Sequence, residues 1–231
     1  MNEREIRVWD LPLRLFHWLL VALVVGAVAS VKIGGNAMVW HGRFGQAIVG
    51  LIVFRLAWGL IGSRTARFAS FVRGPAAIRD YFAGRWAGIG HNPLGALSVL
   101  ALIGLIGFQA ATGLFAYDDV SFRGPMAPMV SEATVSRLSG WHRLAEWAIY
   151  GLVALHVAAI AFYGVVRRQR LVGPMITGRK RVPADDARYR ENEGGGVPRF
   201  VVALALAALA VWATSGVFNP PPPPPPVNLG W

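Results

Sequence analysis

Four of the five histidines fall at or within long apolar segments of the chain. They are His17, His41, His142 and His156. Ionisable side chains at membrane depth are rare, because each must be hydrogen-bonded or coordinated away from lipid. One such histidine could be an ordinary hydrogen-bonded interior residue, but four together indicate that they bind a metal or a cofactor.

The fifth histidine, His91, lies in a polar stretch between apolar segments. It is followed by Asn92, which can cap a helix, and by Pro93, which suits the first helical position. We therefore exclude His91 as a ligand.

The composition limits both the protein class and the cofactor. Of the 231 residues, 55% are hydrophobic and only 15% are charged, against about 25% charged residues in soluble domains. The chain also has no cysteine, which excludes disulfides, thiolate metal sites, iron–sulfur clusters and covalently attached c-type haem. We expect an integral membrane protein whose cofactor is held by other ligands.

Five apolar blocks are each near the roughly 20 residues that a helix needs to cross a bilayer. They cover residues 15–31, 44–61, 94–117, 147–166 and 200–218. The first block could instead be a signal peptide, since residues 27–29 resemble a cleavage site. Its leader contains acidic residues and a bundle of membrane segments follows it, so we expect it to be retained. The predicted fold is all-α: a four-helix transmembrane bundle plus a fifth C-terminal transmembrane helix.

The polar stretches between the blocks suggest four regions. Residues 1–180 form the four-helix membrane domain, 181–199 a flexible cytoplasmic linker, 200–219 the extra helix and 220–231 a proline-rich tail. The seven consecutive prolines, 220–226, predict an extended left-handed helix of about 22 Å. This tail could serve as a spacer or docking peptide, or it could be a disordered end.

The distribution of positive charge predicts the orientation. With the N-terminus inside, inner segments hold 17 Lys and Arg residues and outer segments hold 5. The positive-inside rule then places the N-terminus in the cytoplasm and the C-terminus outside. The formal charge of +11 thus reflects membrane topology and does not predict nucleic-acid binding.

This orientation pairs the histidines by depth. His142 and His156 are fourteen residues apart, which places them about 21 Å apart along one helix and on nearly the same face. His41 lies at the outer level with His142, and His17 lies at the inner level with His156. Each level then offers two imidazoles from facing helices.

Two imidazoles at one level are the axial ligands that six-coordinate haem iron needs, whereas zinc normally takes four protein ligands. Because no cysteine is available, the haem must be non-covalent and b-type. We predict two bis-histidine haems b, stacked across the bilayer as a path for electrons.

Arg55 is the basic residue deepest inside a predicted span. It follows His41 by fourteen residues, so it should project near the same face at the inner level. We predict that it binds a haem propionate there; the alternative is that it extends toward the inner headgroups. Arg14 and Arg143 are further candidates.

A series of short motifs runs through residues 6–180. They are Arg7-Val8-Trp9-Asp10-Leu11-Pro12, Arg14-Leu15-Phe16-His17-Trp18, Phe54-Arg55-Leu56-Ala57-Trp58-Gly59, Gly62-Ser63-Arg64, His91-Asn92-Pro93-Leu94-Gly95, Thr112-Gly113-Leu114-Phe115, Leu155-His156-Val157 and Pro174-Met175-Ile176-Thr177-Gly178. In this order they resemble the bacterial cytochrome b561 family, which includes the cytochrome b subunits of nickel–iron hydrogenases. The fifth span and the proline run fall outside the resemblance.

The resemblance implies a di-haem b cytochrome of the bacterial inner membrane with axial ligands matching His17, His41, His142 and His156. Such a protein passes electrons between the quinone pool and a periplasmic redox partner, either a haem protein or a hydrogenase-like oxidoreductase. Relatives often have Glu after the ligands matching His41 and His142, where this chain has Gly42 and Arg143. The outer partner surface or the quinone site can therefore differ. A homodimer is compatible with the sequence.

Two other functions remain open at this stage. Some similar cytochromes are superoxide:quinone oxidoreductases, which a basic outer pocket formed by Lys32, Arg43 and Arg143 would favour. A non-redox membrane scaffold that presents its proline tail would bind no haem.

Overall fold

The computed structural model of the protein describes residues 3–86, 88, 90–118, 120, 122–184 and 191–220. The elements in chain order are β1 (Glu3–Arg7), α1 (Leu11–Ile33), α2 (Met38–Ile61), α3 (Phe68–Phe71), α4 (Pro75–Phe82), α5 (Pro93–Gly113), α6 (Glu132–Val165), α7 (Val172–Thr177), β2 (Arg179–Pro183) and α8 (Gly196–Ala213). We call the end that carries β1 and β2 the inner end and the opposite end the outer end.

Five helices in the described part of the chain are long and apolar enough to span a membrane: α1, α2 with its preceding turn, α5, α6 and α8. The prediction of a multi-pass helical membrane protein is confirmed. Many large apolar side chains on these helices are exposed, as expected for surfaces that face lipid.

Helix α1 begins with a side-chain cap, four residues before the predicted apolar block. The Asp10 Oδ1 accepts a hydrogen bond from the Leu13 amide at 2.7 Å, and Pro12 lies in the first turn. The other carboxylate oxygen of Asp10 accepts from Trp58 Nε1 at 3.0 Å. One acidic residue therefore caps α1 and joins it to the inner end of α2.

Helix α6 begins well before the apolar block predicted for the fourth span. It is capped by Ser131, and its 34 residues correspond to about 51 Å, more than the roughly 30 Å of a hydrocarbon core. Charged residues between 132 and 146 lower the hydropathy there without interrupting the helix. His142 thus lies well inside α6.

The inner end contains a small sheet that the all-α prediction lacks. Strands β1 and β2 pair antiparallel from Glu3 with Pro183 to Arg7 with Arg179. Ile6 and Val182 are buried beneath the pair. Each strand begins with three charged residues and has a single large apolar residue at its fourth position, a pattern without the alternation that predicts a strand.

The segment predicted as a flexible linker contacts the bundle in its described parts, 181–184 and 191–199; residues 185–190 lie outside the described residues. The Asn192 side chain donates to Ser63 Oγ at 2.9 Å and accepts from the Thr65 amide at 3.1 Å. Its own amide donates to the Arg7 carbonyl at 2.9 Å. These bonds hold the start of α8 against the inner end of α2.

Helix α8 packs along α2 rather than standing apart from the bundle. Ala203 and Ala207 are buried in the inner core with Phe54 and Trp58. A Cβ on Gly50 would come 2.8 Å from the Val211 Cγ2, so the glycine permits the close approach of the two helices. The proline run beyond residue 220 lies outside the described residues.

Candidate haem sites

The outer histidine pair is brought together by α2 and α6. The ring centroids of His41 and His142 are 6.0 Å apart, and the ring planes are nearly perpendicular at 87°. Phe122 lies edge-on to His41 at 6.0 Å. The structure therefore brings these two predicted ligands together.

Backbone carbonyl groups orient both outer imidazoles. His41 Nδ1 lies 3.0 Å from the Ala27 carbonyl oxygen, and His142 Nδ1 lies 2.9 Å from the Gln109 carbonyl oxygen. Because a carbonyl oxygen only accepts, both Nδ1 atoms must donate, which leaves each Nε2 with a lone pair. This is the hydrogen-bonding arrangement that metal-binding histidines use.

The side chain of Gln109 contacts the atom that His142 would use for iron. Its Nε2 lies 3.3 Å from His142 Nε2, and its Oε1 is buried without a partner among the described residues. The amide and a metal would compete for the same lone pair. Gln109 was not predicted from the sequence, because an isolated glutamine in an apolar helix has no distinctive pattern.

A cavity of about 350 Å³ opens beside the outer pair between α1, α2, α5 and α6. Gly45 lines it, and a Cβ there would meet no atom within 4 Å. Gly113 backs the His142 ring, where a Cβ would come 2.8 Å from Cε1. The largely apolar lining, the glycines and the Nε2 lone pairs together fit a flat iron-bearing macrocycle.

A polar group forms part of the cavity wall. Glu146 follows His142 by one helical turn; it accepts a hydrogen bond from the Tyr150 hydroxyl and lies 3.3 Å from Lys32 Nζ. Arg143 and Asp118 also line the cavity. Because His142 and Glu146 are four residues apart on one helix, the sequence could have indicated that Glu146 lies beside His142.

The inner pair is formed by α1 and α6. His17 and His156 are close enough for a charge on one ring to act on the other. His156 Nδ1 lies 3.3 Å from Ser98 Oγ, whereas His17 Nδ1 is buried without a partner among the described residues. In the described part of the chain, no backbone carbonyl contacts Nδ1 of either ring in the way seen at the outer pair.

Arg55 lies at the inner level, as its spacing from His41 predicted. Its side chain is only 1% exposed, and its guanidinium carbon lies 4.5 Å from the centre of the Phe68 ring. Nη1 and Nη2 are buried and find no hydrogen-bond partner in the described part of the chain. A buried cation without a partner is strongly unfavourable, so this position fits a bound anion such as a propionate.

His91, excluded as a ligand on sequence grounds, lies at the same end. Its ring packs between Trp9 at 4.6 Å and Phe71 at 4.7 Å. Burial, then the charge of Arg55 and then His17 lower the pKa of His91 to about 3. The sequence placed His91 correctly before α5 but could not show that the loop folds back over the inner core.

The other two predicted arginines lie at opposite ends. The Arg14 guanidinium donates to the Ile176 carbonyl, while its Nε is buried without a partner among the described residues. Arg143 lines the outer cavity. Among the described residues no three His, Cys, Asp or Glu side chains gather as ligands of a bare metal ion.

Comparison with known proteins agrees with these features. The sequence profile of a family described as prokaryotic cytochrome b561 matches residues 8–178. A probable Ni/Fe-hydrogenase B-type cytochrome subunit of Azotobacter chroococcum mcd 1 is 26% identical over 77% of this chain and 89% of its own length. The corresponding probable subunits of Cupriavidus necator and of hydrogenase 1 in Escherichia coli K12 are 25% and 23% identical, each over 74% of this chain and over 85% and 88% of their own lengths.

No solved structure shows significant similarity to the chain. The family profile nevertheless covers every predicted ligand, from His17 on α1 to His156 on α6. Because the match spans most of a helical membrane bundle with histidines at two levels, the chain belongs to the prokaryotic cytochrome b561 family.

Proposed function

We propose that this membrane cytochrome carries two haems b, one held by His41 and His142 and the other by His17 and His156. Haem iron supplies one-electron transfer between its two oxidation states. The observation that carries the proposal is the outer pair, in which two facing imidazoles each donate through Nδ1 and keep a lone pair on Nε2. The second proposed pair, His17 and His156, lies one depth further along α6, without the carbonyl contacts of the outer pair.

The residues around the outer pair would orient the ligands and keep water out. The carbonyl groups of Ala27 and Gln109 hold the two rings, and Gly113 leaves room for the His142 ring. Ring orientation and ligand basicity set by such hydrogen bonds tune the reduction potential of the bound iron.

Arg55 would hold a propionate at the inner site. Its buried guanidinium has two unpartnered nitrogen atoms that suit a carboxylate. The four helices α1, α2, α5 and α6 would form the cofactor unit. Helices α1, α2 and α6 carry the proposed ligands, and α5 contributes the Gln109 carbonyl and Ser98. Helix α8 would support α2 from outside.

The proposed role is electron transfer between the quinone pool and a periplasmic redox partner. Relatives named as Ni/Fe-hydrogenase cytochrome subunits support an oxidoreductase or a c-type cytochrome as that partner. The excess of positive charge in the predicted inner segments supports a bacterial inner-membrane protein with a cytoplasmic N-terminus and a periplasmic C-terminus.

The outer cavity gives no support to superoxide as the substrate. Asp118 and Glu146 line it together with Arg143, and Lys32 pairs with Glu146. A site that attracts a small anion by electrostatic steering would carry an excess of positive charge.

The proposed function can be tested by mixing detergent-purified protein with a reduced quinone analogue without oxygen. We expect the b-type absorbance bands of reduced haem to appear, and we expect their reoxidation by an added c-type cytochrome. A His142→Ala variant serves as a control that should retain only part of the reducible absorbance. Protein that contains haem but reacts with neither reagent would contradict the proposed role.

A further inference from the structure

Buried polar atoms without partners concentrate at the inner end of the bundle. In the described part of the chain these atoms are Arg14 Nε, His17 Nδ1, Arg55 Nη1, Arg55 Nη2, His91 Nδ1, Gln109 Oε1 and Asn219 Oδ1. Native proteins leave few such atoms, so each one calls for an explanation. Five of these seven belong to residues at the inner end, and all five can be hydrogen-bond donors.

His91 is held firmly in this group. Trp9 and Phe71 pack on its ring at 4.6 and 4.7 Å. The next residue, Asn92, is fixed as the cap of α5, where its Oδ1 accepts from the Gly95 amide at 2.7 Å. The ring therefore cannot turn freely to find another partner for Nδ1.

The acidic residue that acts on Arg55, Asp10, already accepts hydrogen bonds from other groups. Asp10 acts electrostatically on Arg55, but its two carboxylate oxygens accept from the Leu13 amide and from Trp58 Nε1. Arg55 in turn acts electrostatically on His91. Arg55 and His91 thus lie near each other with buried nitrogen donors, and among the described residues these nitrogen atoms have no hydrogen-bond acceptor.

We propose that His91 and Arg55 together bind one propionate of the inner haem, with His91 donating through Nδ1 and Arg55 through Nη1 and Nη2. This inference rests on the proposed di-haem function and adds a positioning residue to it. His91 acts on the carboxylate and not on the iron.

The proposed role has a consequence for the reduction potential. A propionate close to iron favours the oxidised state through its negative charge, and donors that bind the carboxylate offset this effect. Removal of the His91 donor should therefore make the inner haem harder to reduce without removing the haem.

Two variants of similar size separate the hydrogen bond from packing. His91→Leu removes the donor and keeps apolar volume, whereas His91→Gln retains an N–H donor. Haem content and the midpoint potential of each haem are measured in a redox titration of the purified full-length protein. Haem content needs no partner or quinone, so these readouts do not depend on turnover.

We expect both variants to retain two haems. His91→Leu should lower the equilibrium constant for reduction of the inner haem by about tenfold, which is about 59 mV for one electron. His91→Gln should restore most of this loss, and the outer haem should not change. In an Arg55→Gln background, His91→Leu should have a smaller effect, because the two residues share one carboxylate.

Three results would overturn the proposal: unchanged potentials in His91→Leu, loss of one haem in His91→Gln, or no difference between the two variants. If the His91→Leu protein does not accumulate, the proposal is tested instead by the propionate carboxylate stretch in the redox infrared difference spectrum. It should shift between wild type and His91→Phe, which keeps an aromatic ring but has no donor, and an unchanged stretch in that variant would overturn the proposal. Wild-type protein without haem would instead contradict the proposed function itself.

Discussion

The two histidine levels are built in different ways. At the outer level, backbone carbonyl groups fix both rings, and glycines open a cavity beside them. At the inner level, His156 Nδ1 lies near a serine hydroxyl. Within the described residues, His17 Nδ1 has no hydrogen-bond partner and the buried Arg55 Nη1 and Nη2 have none either. The outer site is thus defined mainly by shape, and the inner site mainly by charge.

This difference indicates how each site depends on the cofactor. The outer pair already has its hydrogen bonds and its space. The inner end contains a cation and several donors whose burial is unfavourable until an anion binds. We therefore expect the inner end to gain more stability from haem than the outer end does.

The largest expected effect is the loss of one haem when a single ligand is removed. His41→Ala or His142→Ala should remove the outer haem and leave the inner one, and His17→Ala or His156→Ala should do the reverse. Haem-to-polypeptide ratios should fall from about two to about one in each case, because a lone axial histidine leaves iron incompletely held. Loss of both haems, or of neither, in all four variants would contradict the pairing.

A second prediction separates the two levels by the sign of a stability change. Arg55→Met removes the unpartnered buried charge, so haem-free protein should unfold at a higher temperature than the wild type. Haem-loaded protein should show the opposite, because the propionate then loses its partner. Thermal unfolding of both forms in detergent tests this, and Arg55→Lys, which keeps the charge, is the control. The same sign of change in both forms would contradict an anion site.

A third prediction tests shape at the outer level. In Gly113→Ala the new methyl group would lie 2.8 Å from His142 Cε1 and would displace the ring. We expect a lower outer haem content and an altered outer spectrum, with the inner haem unchanged. Gly104→Ala on the same helix is the matched control, because a Cβ there meets no atom within 4 Å. Equal haem content in both variants would show that Gly113 does not protect the site.

The smallest expected effect concerns α8, which packs along α2 and carries none of the proposed ligands. In Gly50→Ala the added Cβ would come 2.8 Å from Val211 Cγ2, and overpacking of this kind typically costs about 1–3 kcal/mol. Val211→Ala in the same chain should relieve the contact and recover stability. Both haem spectra should remain as in the wild type. A spectral change would mean that α8 takes part in haem binding.

The sequence predicted the spans and the depths of the histidines because hydropathy and helical spacing act locally. It could not predict that residues 179–183 pair with the N-terminus or that Asn192 binds Ser63, since these contacts join distant parts of the chain. The start of α6 was missed because the charged residues before 147 lower the hydropathy without ending the helix.

The candidate site shows the same limit. The four histidines proposed as ligands and Arg55 stand out as ionisable residues in apolar segments, so their residue type alone marked them as candidates. His91 was judged from its local capping motif, and only the fold brings it against Trp9, Phe71 and the field of Arg55. Gln109 and the Ala27 carbonyl contact the outer histidines only because the helices pack together, and no pattern of residue types in the sequence predicts such contacts.

The most direct test of the account is the haem-to-polypeptide ratio of the purified full-length protein, measured as the pyridine haemochrome with reduced-minus-oxidised spectra. Two histidine levels predict a ratio near two and spectra of b type. A ratio near one would contradict the second level, and a ratio near zero in folded protein would contradict haem binding altogether.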